Sequence, residues 1–136
     1  MERTRLVVFD DSRDAITRYA GSFANADVDL LSFRRPTIDT EIRAALIAFQ
    51  PDLVIVDLVM GESRHDGYRL LAELQEVRFI SGMPPVVVCS KLITHSQMGE
   101  EERRMALAAP GVVAAFGKFP DLPSAEQLLQ FVRRRV

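Results

Sequence analysis

The chain has 136 residues, of which 48% are apolar, so it suits one folded domain over residues 1–136 and is too apolar for a disordered chain. With 17 basic and 19 acidic residues the net charge is −2, which argues against nucleic acid as a direct partner. No apolar run is long enough to span a membrane, and the N-terminus lacks a signal-peptide layout. We therefore expect a cytoplasmic protein without a membrane partner. The single cysteine, Cys89, excludes an intramolecular disulfide.

Five short apolar runs rich in Val and Ile predict strands. In chain order they are RLVVF (5–9), VDLLSF (28–33), DLVIV (52–56), PVVVC (85–89) and GVVAAF (111–116). Most of these runs are apolar throughout rather than alternating, which is typical of parallel strands that are covered on both faces.

Segments with helical period separate and follow these runs. The first begins after Ser12, a residue suited to the N-cap. The second starts near Ile38 and ends before Pro51, which cannot continue a helix. The third follows Gly67 with a stripe of leucines. Each of these segments is predicted to pack an apolar face on the sheet.

The last two helical segments are less regular. The fourth, roughly residues 95–109, is thinly apolar, and its methionines Met98 and Met105 are predicted to face the core. The last stripe runs from Ala125 to Val136. We interpret the arginines at 133–135 as cations at a helix C-terminus, where the helix dipole favours them.

The resulting order, (βα)5, predicts an α/β fold with a doubly wound parallel sheet. Right-handed crossovers place helices on both faces of such a sheet. Ligands bind these sheets beyond the carboxyl ends of the strands. The residues that directly follow each strand are therefore the candidates for function.

Charged and hydroxyl side chains follow four of the five predicted strands. Asp10 and Asp11 follow strand 1, Asp57 follows strand 3, Ser90 follows strand 4 and Lys118 follows strand 5. Because the carboxyl ends of parallel strands share one edge, we expect three carboxylates, a hydroxyl and an ammonium to converge there.

Three converging carboxylates favour a bound cation. Two carboxylates ~4 Å apart repel by about 4 kcal/mol at an effective dielectric near 20, and one lysine cannot neutralise three acids. An all-oxygen donor set indicates Mg²⁺ rather than zinc. A carboxylate beside such an ion and a lysine can attack phosphorus, because both cations offset charge on the transferred group. Asp57, alone on the central strand, is the predicted nucleophile, and Asp10 and Asp11 are the predicted metal holders.

This pattern resembles the receiver domains of response regulators in two-component signalling, the family of the chemotaxis response regulator. The resemblance covers the whole chain, and its five motifs keep the family's order. They are the acidic pair at 10–11, VDLVM around Asp57, DG at 66–67, Ser90 and Lys118. The resemblance implies a flavodoxin-like fold with strand order 2-1-3-4-5.

The resemblance also implies roles for these residues. Asp57 would accept a phosphoryl group from a sensor histidine kinase or a histidine phosphotransfer protein. Mg²⁺ or Mn²⁺ would bind Asp11, Asp57 and the backbone carbonyl of Val59 directly, and Asp10 through water. Lys118 would pair with the phosphoryl oxygens. Such a domain is not a conventional enzyme, but it would assist its own phosphorylation and dephosphorylation.

The implied output involves a change of surface. Ser90 would hydrogen-bond the phosphoryl group, move toward it, and shift the face formed by helix 4, strand 5 and helix 5. A downstream protein would dock on this face, and a homodimer is the other expected assembly.

Several positions near the site depart from the receiver pattern. Gly61 stands where a proline is usual, and the spacer to the DG motif at 66–67 is about two residues longer. Ala115, three residues before Lys118, takes the place of the usual aromatic switch residue. The next residue, Phe116, is expected to face the opposite side of the sheet, because neighbours on a strand alternate.

Two further departures bear on phosphoryl lifetime. Lys91 follows the switch hydroxyl, where a small residue is usual; it either reaches or shields the phosphoryl pocket, or points to solvent. Val59 is apolar and disfavours an attacking water, so we expect slow autodephosphorylation.

The loop after the lysine of the receiver pattern also differs. The usual Lys-Pro is replaced by Lys118-Phe119-Pro120. A cis bond before Phe119 would cost about 3 kcal/mol, so we expect a trans bond there or a shifted loop.

Three other functions compete with this interpretation. A degenerate receiver-like module that binds partners without phosphorylation is favoured by Gly61 and Ala115 but opposed by the retained charged residues. A phosphohydrolase with an aspartyl-phosphate intermediate would need a second acid where the chain has Val59. A flavodoxin-like cofactor binder would need a Gly/Ser/Thr-rich phosphate loop after strand 1, and the sequence has none there.

Overall fold

The computed structural model describes residues 3–61 and 64–133. Strands and helices alternate along this part of the chain. The strands are β1 (Thr4–Phe9), β2 (Val28–Phe33), β3 (Leu53–Val56), β4 (Val86–Ser90) and β5 (Val112–Gly117). The helices are α1 (Arg13–Ser22), α2 (Thr40–Phe49), α3 (Arg64–Gln75), α4 (Gln97–Ala108) and α5 (Ala125–Leu129). Within these ranges, no helix has the length and apolar character needed to cross a membrane.

All five strands are parallel and form one sheet in the order β2-β1-β3-β4-β5, which confirms the predicted fold class. The register between the central strands places Phe9 of β1 opposite Val56 of β3. Asp10 and Asp57 each come one residue later, so they leave the sheet side by side. The sheet register therefore builds the beginning of the acidic site.

The helices on the two faces of the sheet cover two apolar cores. Alternate residues of β1 and β3 divide between them, with Val7 and Val54 in one core and Leu6 and Ile55 in the other. The first core lies against α2, α3 and α4, and the second lies against α1 and α5. Burial on both faces explains why these strands are continuously apolar in sequence.

Polar side chains determine where four helices begin. At the starts of α1, α2, α4 and α5, the N-cap side chain accepts a hydrogen bond from the backbone amide three residues on; these N-caps are Ser12, Asp39, Ser96 and Ser124. The predicted N-cap at Ser12 is thus confirmed. It turns the chain into α1 directly after the acidic pair, which leaves both acids at the edge of the sheet.

The packing of α4 differs from the prediction. Met98 and Met105, which were predicted to face the core, have 81% and 48% of their surface exposed. The helix instead buries small Ala106 and the acidic Glu102. A carboxylate tolerates this position because the Tyr68 hydroxyl of α3 donates a 2.7 Å hydrogen bond to it.

The end of α5 also differs from the prediction. The helix ends at Leu129, and Arg133 lies beyond it rather than in its last turn. The Arg133 amide donates to the Asp52 carbonyl at 3.0 Å. Its guanidinium donates at 2.8–3.0 Å to three carbonyls near the amino ends of β3 and β4, those of Pro51, Ser81 and Gly82. Arg133 therefore pins the chain beneath the sheet, while residues 134–136 lie outside the described residues.

Candidate functional site

Three carboxylates meet beyond the carboxyl ends of β1 and β3. One oxygen from each of Asp10, Asp11 and Asp57 lies within 4.8 Å of the other two. Asp10 and Asp57 are 1% and 3% exposed, and Asp11 is half-buried. The Asp57 amide donates to the Phe9 carbonyl at 3.0 Å, which continues the β1–β3 ladder to the site. At that separation two full charges repel by about 3 kcal/mol at a dielectric near 20, so the cluster favours a counter-charge.

Lys118 supplies part of that counter-charge from the end of β5. Its Nζ lies 2.9 Å from Asp10 Oδ2 and 3.0 Å from Asp57 Oδ2. The backbone there is fixed, because the Lys118 amide donates to the Ser90 carbonyl at 3.2 Å. The preceding Gly117 passes so close to the neighbouring loop that a Cβ would lie 2.5 Å from a backbone oxygen. With three ionised carboxylates and one ammonium, the cluster keeps a net charge of −2.

The pKa values of Asp57 and Lys118 reflect this environment. Burial raises the pKa of Asp57 to about 6; the Lys118 ammonium works against this rise, and the Asp10 carboxylate adds to it. Burial lowers the pKa of Lys118, but its bonds to Asp10 and Asp57 outweigh that effect and leave the pKa above its ordinary value. At neutral pH the lysine is therefore charged, and Asp57 is ionised at a cost that a bound cation would relieve.

Each of the three carboxylates accepts a hydrogen bond from a nearby backbone amide. The amide of Ser12 bonds Asp10 at 2.9 Å, that of Val59 bonds Asp57 at 3.1 Å, and that of Gly61 bonds Asp11 at 2.9 Å. A carboxylate has about four lone-pair positions, so one amide bond leaves room for a metal ion on each group. These bonds orient the acids without filling the site.

Ser90 is the last residue of β4, and Lys91 follows it at the same edge of the sheet. Ser90 is fully buried, and its Oγ accepts a hydrogen bond from the Leu92 amide at 3.1 Å. Its carbonyl accepts from Lys118, which ties the ends of β4 and β5 together. Lys91 is exposed to solvent. The Ser90 hydroxyl is therefore buried, whereas the neighbouring Lys91 side chain is exposed to solvent.

Ala115 and Phe116 lie on opposite faces of β5, as the alternation of strand side chains predicts. Ala115 is buried in the core beneath α2, α3 and α4. Phe116 packs on the other face, where its ring centre lies 6.1 Å from that of Phe131. The bulky ring is therefore on the far side of the sheet from the position that Ala115 occupies.

The loop that follows Asp57 depends on a close approach at Gly67. The Gly67 amide donates to the Leu58 carbonyl at 3.0 Å. A Cβ at Gly67 would lie 2.3 Å from Leu58 Cα, closer than any side chain permits. The glycine of the DG motif is thus required for packing α3 against the loop that follows Asp57.

Contacts to Asp11 were not predicted from the sequence. In addition to the Gly61 amide on its carboxylate, the Arg34 Nε donates to its backbone carbonyl at 3.2 Å. The sequence signal for Arg34 was its place directly after β2, the strand that pairs with β1. No local signal pointed to Gly61, which lies 50 residues from Asp11.

The other groups near the site are less reactive. Cys89 is buried one residue before Ser90, and burial raises the pKa of its thiol to about 12, so the thiolate is negligible at neutral pH. In the loop after Lys118, the peptide bond between Phe119 and Pro120 is cis, one residue later than the bond considered from the sequence.

Solved structures share this fold, although no protein-family model and no curated protein matches the chain. The BeF3-activated N-terminal receiver domain of RstA from Klebsiella pneumoniae is similar with a TM-score of 0.68 and 21% identity, covering 93% of this chain and 94% of that one. The Vibrio cholerae chemotaxis protein CheY4 is similar with a TM-score of 0.68 and 16% identity, covering 94% of each chain. The Mn²⁺-bound form of response regulator Rcp1 is similar with a TM-score of 0.61 and 17% identity, covering 93% of this chain and 87% of that one. The chain therefore has the fold of response-regulator receiver domains.

Proposed function

We propose that this chain is a cytoplasmic phosphoacceptor receiver domain. In this role Asp57 takes a phosphoryl group from a sensor histidine kinase or a histidine phosphotransfer protein, in a reaction that requires Mg²⁺ or Mn²⁺. The observation that carries the proposal is the convergence at one sheet edge of three carboxylates within 4.8 Å, with an ammonium 3.0 Å from Asp57. The shared fold supports it, as does the Mn²⁺-bound state of Rcp1.

The residues at this edge fit a hard divalent cation. All three donors in the cluster are carboxylate oxygens, the ligands that Mg²⁺ and Mn²⁺ prefer. The cluster keeps two negative charges after pairing with Lys118, and a divalent ion balances them. In the assignment that the resemblance implies, Asp11, Asp57 and the Val59 carbonyl hold the ion directly and Asp10 holds it through water.

The proposed reaction is a direct displacement at phosphorus. An Asp57 carboxylate oxygen attacks the phosphorus of a phosphohistidine, the new O–P bond forms as the P–N bond breaks, and the imidazole leaves with the electron pair. The Lys118 ammonium, 3.0 Å from Asp57, stabilises the negative charge on the transferred group, and Ser90 binds one of its oxygens. A bound divalent ion supplies further charge compensation at the phosphoryl oxygens.

The same residues suggest how long the signal lasts and where it is read. Val59 is half-buried and apolar beside the acceptor, so it positions no attacking water, and we expect slow dephosphorylation. Because Ala115 replaces the aromatic switch residue, the response is proposed to run through α4. This helix presents exposed Met98 and Met105, on which a downstream protein or a second copy of the chain would dock.

The proposal is tested by incubating the protein with acetyl phosphate and Mg²⁺ and measuring the intact mass. We expect the wild type to gain one phosphoryl group, and the gain to be lost in Asp57→Asn and in the presence of EDTA. The matched control is Asp121→Asn, which removes the same charge from an exposed loop position and is expected to be phosphorylated normally. If the wild type neither gains a phosphoryl group nor binds Mg²⁺, the proposal fails and the binding-only module is favoured.

A further inference from the structure

The hydrogen bond between the Gly61 amide and Asp11 comes from a position where the receiver pattern has a residue without a donor. Proline is usual at this position and has no N–H group. Here the Gly61 amide donates to Asp11 Oδ2 at 2.9 Å. The backbone at Gly61 has φ of +90°, a conformation open to glycine and closed to proline. The replacement of proline by glycine thus adds a contact to the acidic site.

Asp11 is the carboxylate that most needs such a contact. Asp10 and Asp57 are almost fully buried and both are bound to Lys118. Asp11 is half-buried, and among the described residues the Gly61 amide is the only donor to its side chain. Without that bond the Asp11 side chain would be free to rotate, and binding an ion would carry the entropy cost of ordering it.

We propose that Gly61 is a positioning residue for the divalent cation. Its amide holds the Asp11 carboxylate within 4.8 Å of the Asp10 and Asp57 oxygens, so that the three-acid site is formed before the ion arrives. The inference rests on the proposed function for the identity of the ion. Groups that orient a metal ligand typically contribute ten- to hundredfold to metal affinity, and Gly61 belongs to this kind of group.

The bond also connects two segments that are distant in sequence. Gly61 lies four residues after Asp57, and Asp11 lies two residues after Phe9, the last residue of β1. The bond therefore ties the chain that leaves the acceptor to the acid that leaves the neighbouring strand.

Two substitutions at Gly61 differ in whether the amide donor is kept. Gly61→Ala keeps the N–H group, and among the described residues its Cβ would meet only Asp66 Oδ2, at 3.3 Å. Gly61→Pro removes the N–H group. Alanine adopts a positive φ at a cost, whereas the proline ring excludes it. Gly61→Pro therefore loses the donor and also shifts the backbone, and the amide-exchange measurement below tests the donor without that shift.

The experiment is a Mg²⁺ titration of the wild type and both variants by calorimetry, with circular dichroism to confirm folding. We expect Gly61→Ala to bind within about threefold of the wild type, and Gly61→Pro to bind about tenfold more weakly. Equal dissociation constants for the two variants overturn the proposal even if Asp57 is phosphorylated normally. A tenfold difference between them supports it even if Asp57 is not phosphorylated. A wild type that binds no Mg²⁺ overturns both this proposal and the proposed function.

A second measurement does not depend on the proline variant folding. In wild-type protein labelled with ¹⁵N-glycine, the Gly61 amide is expected to exchange with solvent at least about tenfold more slowly than an unprotected amide, before any Mg²⁺ is added. In Asp11→Ala this protection is expected to disappear, because the acceptor is gone. A Gly61 amide that exchanges at the unprotected rate in the metal-free wild type overturns the proposal.

Discussion

Removing the negative charge of Asp57 is expected to stabilise the metal-free protein. Asp57→Asn replaces a carboxylate that is 3% exposed with a neutral group of the same shape. Lys118 keeps its other partner, since its Nζ lies 2.9 Å from Asp10 Oδ2. The variant thus loses the repulsion between Asp10 and Asp57 while the lysine stays paired.

The size of this effect follows from the pKa of Asp57. Burial raises that pKa from 3.8 to about 6, and a carboxyl that ionises less readily when folded destabilises the folded state once it is ionised. Two pH units correspond to about 3 kcal/mol of unfolding free energy at pH 7.5. At pH 4.5 the Asp57 carboxyl is still mostly protonated in the folded protein. The same relation then gives a destabilisation of about 1 kcal/mol.

The sign of the pH dependence is opposite to that of a salt-bridged carboxylate with a lowered pKa. Well below pH 3.8 Asp57 is protonated in both the folded and the unfolded state and contributes nothing to the pH dependence of stability. As the pH rises toward 6 the unfolded chain releases the proton first, so the wild type loses stability over this range. Asp57→Asn lacks this loss, and its advantage over the wild type therefore grows with pH.

The assay is urea unfolding of both proteins in EDTA at pH 4.5 and pH 7.5, with Asp121→Asn as the exposed-charge control. The unfolding free energy of Asp57→Asn is expected to exceed that of the wild type by about 1 kcal/mol at pH 4.5 and by about 3 kcal/mol at pH 7.5. The unfolding free energy of the control should match that of the wild type at both pH values. When Mg²⁺ replaces EDTA at 100 times its dissociation constant, the unfolding free energy of the wild type alone should rise by about 2.7 kcal/mol, which removes the difference between the two proteins at pH 7.5. A gap that is absent, reversed or independent of pH in EDTA refutes this reasoning.

Two further predictions concern the frame of the site and the end of the chain, and both are measured by urea unfolding. Gly67→Ala places a Cβ 2.3 Å from Leu58 Cα and is expected to lower the unfolding free energy by about 2–3 kcal/mol and to slow phosphorylation. Gly21→Ala, whose Cβ would meet none of the described residues within 4 Å, should instead stabilise α1 by about 0.5–1 kcal/mol, and equal losses in the two variants would contradict the packing argument. Arg133→Ala removes three hydrogen bonds to backbone carbonyls and should cost about 1–3 kcal/mol, with Arg133→Lys recovering only part of the loss because an ammonium cannot span all three. A cost below about 0.5 kcal/mol for Arg133→Ala would show that the clamp is not a source of stability.

Much of the fold and the composition of the acidic cluster followed from the sequence. Continuous apolar runs are the mark of strands that are buried on both faces, and helical stripes between them require a parallel sheet. In such a sheet the strands end at a common edge, so Asp10, Asp57 and Lys118 had to approach one another although 108 residues separate the first from the last. Periodicity and topology were sufficient because both are repeated over many residues.

The interpretation was weaker where the local pattern was thin. α4 has few apolar residues, and its buried face is decided by what fits against the sheet and α3, namely Ala106 and a Glu102 that the Tyr68 hydroxyl bonds. The methionines consequently lie outside. α5 ends at Leu129, and beyond it Arg133 bonds carbonyls that lie 51, 52 and 82 residues away in sequence, which no helical pattern predicts.

The sequence by itself determined which residues reach the edge of the sheet, because the apolar pattern sets the strands and each strand end sets its next residue. Only the tertiary structure decided how those residues are held. Lys118 bridges Asp10 and Asp57, the backbone passes within contact distance at Gly67, and the Gly61 amide reaches Asp11. Each of these contacts joins groups whose separation depends on several turns and the sheet register at once. A hydrogen bond requires placement to within a few tenths of an ångström, and only the assembled fold provides it.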